Sequence, residues 1–196
     1  MRTIFTYIVV LVGCWFLADL AHAADISAPA HAVAGNKVSL PTTGSGNATL
    51  YVFGPGTATK KDVQLGNSVD LTLNRAGRYT AIVNGEAVTF DVAPGAPSDV
   101  AFLARPSRVP VDRREVIAGT VFIFDSKHNL VTQPTPVKFD LTVAGGSPQS
   151  RNVASKNGIA YIKLDSGRKA GPAQFIASVG QTSVRRVVTE TASDPC

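Results

Sequence analysis

Residues 137–143 read Val-Lys-Phe-Asp-Leu-Thr-Val, with apolar side chains on every odd position and polar ones on every even position. Successive side chains of an extended chain point to opposite faces, so this segment buries one face and wets the other. The rule repeats in residues 69–73 (VDLTL), 88–92 (VTFDV) and 160–164 (AYIKL). Helical periodicity is nearly absent after residue 24. Alternation of this kind belongs to antiparallel sheets with one packed face.

The punctuation between these segments agrees. Turn-forming clusters fall at Gly44-Ser45-Gly46-Asn47, Gly54-Pro55-Gly56, Gly66-Asn67, Asn84-Gly85, Gly145-Gly146, Asn157-Gly158 and Gly180. Short strands separated by turns at this spacing predict a sandwich or barrel. Asn84-Gly85, between two alternating runs, is a strong hairpin signal, because a type I′ turn needs positive φ at both central residues. The best boundary is Ala93-Pro94-Gly95-Ala96-Pro97-Ser98, where two prolines and a glycine follow a finished strand and a new strand is predicted from Val100. The expected fold is all-β: two tandem β-sandwich domains, 25–93 and 98–191, joined by a linker at 94–97.

The chain opens with Arg2, an apolar run over residues 4–17, and Ala21-His22-Ala23. A basic start, an apolar middle and small residues at the cut form a secretory signal peptide, here 1–23. The run is shorter than the roughly 20 residues that a spanning helix needs. A second processing route stays open, because Leu11-Val12-Gly13-Cys14 has the form of a lipobox; the aromatic residues after Cys14 favour cleavage after Ala23 instead. Either route implies export, to the periplasm or the exterior, with no transmembrane segment in the mature chain. Cys196 is then the remaining cysteine when Cys14 leaves with the signal. One thiol makes no internal bridge, so Cys196 is incidental, a mark of a longer chain, or an intermolecular disulfide partner.

The net charge of +5 is unevenly placed. Residues 24–96 hold five basic and five acidic side chains, whereas residues 97–196 hold thirteen basic and eight acidic. The surplus includes the pairs Arg113-Arg114, Arg168-Lys169 and Arg185-Arg186. It serves solubility or faces a partner, either an anionic polymer or another envelope or surface protein. Export argues against nucleic acid.

Residues 71–83, LTLNRAGRYTAIV, are similar to the segment of immunoglobulin domains that enters strand F, where a tyrosine hydroxyl reaches back to upstream backbone. Tyr79 is the structural residue in that position, and Ala81 stands where antibody domains carry a cysteine. The second half carries a fuller pattern: Pro106-Ser107-Arg108-Val109-Pro110, Val121-Phe122-Ile123-Phe124-Asp125, Asn129-Leu130-Val131, Pro136-Val137-Lys138-Phe139, Asn157-Gly158-Ile159-Ala160, Ala170-Gly171 and Phe175-Ile176-Ala177. In this order the segments resemble the group 1 bacterial immunoglobulin-like (Big-1) repeat of the invasin and intimin family. His128 departs from the pattern where a glycine is common, and Asp112-Arg113 replaces an acidic-glycine turn. The resemblance implies a cell-adhesion or spacer module with no catalytic residues to carry over.

Chemistry-bearing motifs are scarce. Metal ligation needs several donors at suitable spacing, but His31 and His128 stand apart, and Asp99, Asp125 and Asp165 form no D-x-D-x-D loop. No G-x-S-x-G marks a nucleophile, and neither Gly44-Ser45-Gly46 nor Gly54-Pro55-Gly56 opens a helix that could face a phosphate. The sequence therefore predicts no catalytic residues, no metal and no cofactor. The expected function is a non-catalytic structural or adhesive module of a bacterial envelope. The alternative is a binding protein for carbohydrate or another envelope component, with Tyr161 as the outward stacking residue beside Lys163.

Overall fold

The computed structural model describes residues 26–192, all of its regular elements being strands. The signal peptide, Cys14, the Ala23–Ala24 cut and Cys196 lie outside the described residues.

Two sheets surround the first core. Strands β1 (Lys37–Pro41) and β4 (Ser68–Thr72) pair as one ladder. Strands β2 (Asn47–Gly54), β3 (Thr57–Gln64), β5 (Gly77–Val83) and β6 (Glu86–Val92) form the other, in the order β3-β2-β5-β6. Their alternate residues Val38, Leu40, Leu50, Val52, Val69, Ala81 and Val83 meet in one buried cluster. Asn84 and Gly85 join β5 to β6 at φ values of 50° and 87°, with Val83 opposite Glu86, which is the two-residue turn their sequence predicts.

The second core repeats the scheme. Strands β7 (Pro97–Arg105), β9 (Ile117–Asp125) and β12 (Ile159–Leu164) pair in the order β12-β9-β7. Facing them are β8 (Arg108–Pro110), β10 (Pro136–Thr142), β11 (Gln149–Ala154), β13 (Gly171–Val179) and β14 (Thr182–Thr191), in the order β11-β10-β13-β14-β8. The short β8 runs parallel to β14, and the other neighbours are antiparallel. Val137, Phe139 and Leu141 are fully buried, as their odd positions require. With no tryptophan among the described residues, three phenylalanines anchor this core: Phe175 meets Phe102 edge-on at 5.0 Å and Phe139 at 5.9 Å. The two clusters share no residue.

Two boundaries differ from the sequence reading. Strand β7 begins at Pro97, three residues before Val100, so only residues 94–96 of the expected 94–97 linker stand outside the ladders. Pro97 tolerates this position because it opens the strand, where a missing N–H costs no ladder bond, and a bulge between Pro97 and Asp99 absorbs the misfit. Strand β10 likewise takes in Pro136 as its first residue.

Candidate functional site

The segment between β9 and β10 decides how the two halves meet. Strand β9 ends at Asp125, and the chain reverses over residues 126–128, with His128 at φ 60°. The backbone closes the reversal through Asp125 N–H to Asn129 O at 2.9 Å and His128 N–H to Asp125 O at 3.0 Å. Aspartate suits this place because its carboxylate can accept from backbone amides further along its own turn. Asp125 Oδ1 does so, accepting from the N–H groups of Lys127 and Asn129 at 2.8 Å each.

The same two side chains then leave their own turn. Asp125 Oδ2 accepts from Gly95 N at 2.8 Å, in the link between the halves, and from Asn129 Nδ2 at 3.0 Å. Asn129 crosses to the N-terminal half: Nδ2 donates to Asn74 O at 2.9 Å, and Oδ1 accepts from Ala76 N at 2.9 Å. Asp125 is 1% exposed and Asn129 7%, so these bonds form where water competes poorly. Burial pushes the Asp125 carboxyl up, but the hydrogen bonds from the Asn129 side chain and from the amides of Asn129, Gly95 and Lys127 outweigh it, leaving the group below the ordinary carboxylate value.

The receiving loop is itself held. Tyr79 is 1% exposed, its ring stacks on Phe90 at 5.9 Å, and its hydroxyl donates to Arg75 O at 2.9 Å. Residue 75 lies between the two backbone groups that Asn129 grips. Tyr79 thus fixes the loop from beneath, as its similarity to immunoglobulin strand F implies, and Asn129 clamps it from the other half. Burial raises the Tyr79 phenol pKa, partly offset by the bond to Arg75 and by that residue's charge. Lys127 completes the junction by laying its stem over Gly35, where an added Cβ would sit 2.7 Å from Lys127 Cε. A groove of about 630 Å³ runs beside the clasp, lined by Pro55, Arg75, His128, Leu130 and Gln133 among others.

Tyr161 and Lys163 lie elsewhere. Both sit on the outer face of the edge strand β12, opposite Thr120 and Ala118 of β9. Tyr161 is 51% exposed, and the register places Leu103 and Ile159, also exposed, on the same face. This surface is a face of the β12-β9-β7 sheet. Asp165 follows Leu164, which pairs with Ile117 at the far end of β9, so it does not meet Asp99 and Asp125 at the junction. Among the described residues no three His, Cys, Asp or Glu side chains converge as a metal site, and no helix is long and apolar enough to cross a membrane.

No family model and no curated protein matches this chain. Solved structures do resemble it. InvD of Yersinia pseudotuberculosis overlays on 87% of the chain and 58% of its own length, with 17% identity and a TM-score of 0.54. The fold is immunoglobulin-like. The D00-D0 domain of intimin aligns with 86% of this chain and all of its own length, at 15% identity and a TM-score of 0.49. A β-glycosidase from Bacteroides vulgatus aligns at 15% identity and a TM-score of 0.43, over 85% of this chain and 24% of its own. This chain therefore spans little more than half of InvD and about a quarter of the glycosidase.

Asp125 and Asn129 belong to the sequence pattern of the second half, but that pattern does not assign them to the junction. The available signal was the spacing Asp-x-x-x-Asn at a strand end. It announces a turn, and nothing in it says that the amide will reach residues 74 and 76.

Proposed function

We propose that the chain is a non-catalytic extracytoplasmic structural or adhesive module, a spacer or presentation segment of a bacterial envelope or surface protein. The observation that supports it is the clasp. The buried Asn129 amide gives two of its bonds to the backbone of the other half, and the buried Asp125 carboxylate is taken up by that amide, its own turn and the link at Gly95, whereas an enzyme would need such groups free to face a substrate. A presentation segment needs a fixed angle between its parts, and inter-domain contacts of ordinary size leave that angle loose. Each half acts as its own folding unit, an immunoglobulin-like domain of which the second is of the invasin and intimin group 1 type, and the pair travels through the secretory route.

Small-angle scattering of the full chain tests this. A spacer gives one narrow distribution of inter-domain angles; a broad ensemble overturns the reading.

A second reading, a binding protein for carbohydrate or another envelope component, is favoured by the exposed Tyr161, Ile159 and Leu103 on one sheet face. Glycan-array retention that Tyr161→Ala abolishes supports it; equal signals for both proteins exclude it.

A further inference from the structure

At the end of the C-terminal half opposite the junction, three segments remote in sequence bring arginines together. Arg113 and Arg114 lie between β8 and β9, Arg151 lies on β11, and Arg168 lies between β12 and β13. All four line one cleft of about 510 Å³, together with Asp112 and Asp165. The cleft sits by Ile117 and the clasp by Asp125, the two ends of β9, about 26 Å apart at the rise of a strand.

The cleft is built rather than incidental. Asp112 N donates to Gly167 O at 2.9 Å, Ser166 N to Arg113 O at 2.9 Å, and Arg113 N to Ser166 Oγ at 2.9 Å, which stitches the first loop to the third. The Gln149 side chain bonds the backbone of Asp165 in both directions, donating to O at 2.9 Å and accepting from N at 3.2 Å, which ties in β11. Beneath, the buried Glu190 accepts from Gly167 N and from Ala144 N. Asp165 Oδ1 is already engaged by Glu115 N at 2.8 Å.

The guanidiniums are not so engaged. The ion pairs among the described residues are Lys37–Asp70, Arg78–Asp91 and Lys138–Asp140, and none touches the cleft. Arg151 spends one N–H on its neighbour's carbonyl, Ser150 O. Arginine's planar fork matches oxyanions bidentately, and a pre-set backbone lowers the cost of ordering it.

We propose that this cleft binds an acidic polysaccharide, its carboxylate or sulfate groups taken by Arg113, Arg114, Arg151 and Arg168. Apart from the buried Val143, the other lining residues are small or polar, among them Gly146, Ser147 and Gln149, with no aromatic to stack a base and no exposed apolar side chain to enter a bilayer. The proposal goes beyond the spacer reading, since a spacer need bind nothing, and a rigid junction would survive its failure.

The test is titration of the full chain with a carboxylated oligosaccharide (oligogalacturonate) and a sulfated one (a heparin fragment), followed by amide shifts. Binding should perturb residues 112–114, 149–151 and 165–169, and weaken with salt. The double variant Arg113→Gln/Arg168→Gln should lose about tenfold or more in affinity, two charge-assisted contacts being removed. Arg185→Gln/Arg186→Gln, which removes equal charge from β14, should bind as the unmodified chain does. Equal weakening by both pairs would overturn the proposal, as would shifts spread over all basic residues. Binding to phosphatidylglycerol vesicles with the same arginine dependence, and to neither oligosaccharide, would also overturn it.

Discussion

Replacing Asn129 by alanine should uncouple the two halves without unfolding either. The side chain makes two bonds across the junction, each 2.9 Å long, to Asn74 O and from Ala76 N. A net contribution of about 0.5–1.5 kcal/mol per bond gives about 1–3 kcal/mol of coupling. The remaining Nδ2 contact, shared between the two Asp125 carboxylate oxygens at 3.0 and 3.3 Å, lies within the C-terminal half. Its loss should cost that half a further 1.5–3 kcal/mol, roughly, since one partner is charged. Two measurements separate these terms. Urea unfolding followed by resolved amide signals should show the C-terminal residues melting first, where the unmodified chain melts together. Residual dipolar couplings should fit one alignment tensor in the parent and two in the variant. Gln133→Ala, in the same groove with a side chain that makes no bond to the other half, is the control. A variant that keeps one tensor and one transition would refute the clasp as the source of rigidity.

Other outcomes follow from the same structure. Tyr79→Phe removes the buried bond to Arg75 O and should cost about 0.5–1.5 kcal/mol in denaturant titration, loosening the loop that Asn129 grips. Gly119→Ala should cost about 1–3 kcal/mol, because its Cβ would fall 2.7 Å from Phe175 Cζ in a filled core, and a calorimetric melt will read it. The Asp125 carboxyl titrates lower folded than unfolded, so its contribution is complete above the ordinary value of 3.8 and is lost as pH falls through the depressed one. The Gly95 amide shift should therefore stay flat from pH 7 to 5 and move only at a midpoint below 3.8. Residues 98–196 expressed alone should give a soluble β-rich protein by circular dichroism, since their core borrows no side chain from the first.

Much of this molecule is written in its local pattern. The period-two alternation at 137–143 fixes which residues are buried, because a pleated strand leaves them no other choice, and Val137, Phe139 and Leu141 duly have no exposed surface. Asn84-Gly85 specifies its turn because few other pairs take positive φ twice. Tyr79 was legible because its bond partner is four residues away, within reach of a local motif. The same reasoning misplaced the start of β7, since proline at an edge position obeys a ladder that only the partner strand defines.

What tertiary structure alone decided is which distant residues share a place. Asn129 meets residue 74 across 55 positions, and Arg113 meets Ser166 across 53. Tyr161, Lys163 and Ile159 share an outward face by alternation along one strand, but that Leu103 of β7 lies on the same face depends on strand order. Side-chain periodicity is a property of a few consecutive bonds and survives in any fold that uses the strand. Proximity between far segments comes from how the sheets pack and pair, a cooperative outcome that no short window of residues contains.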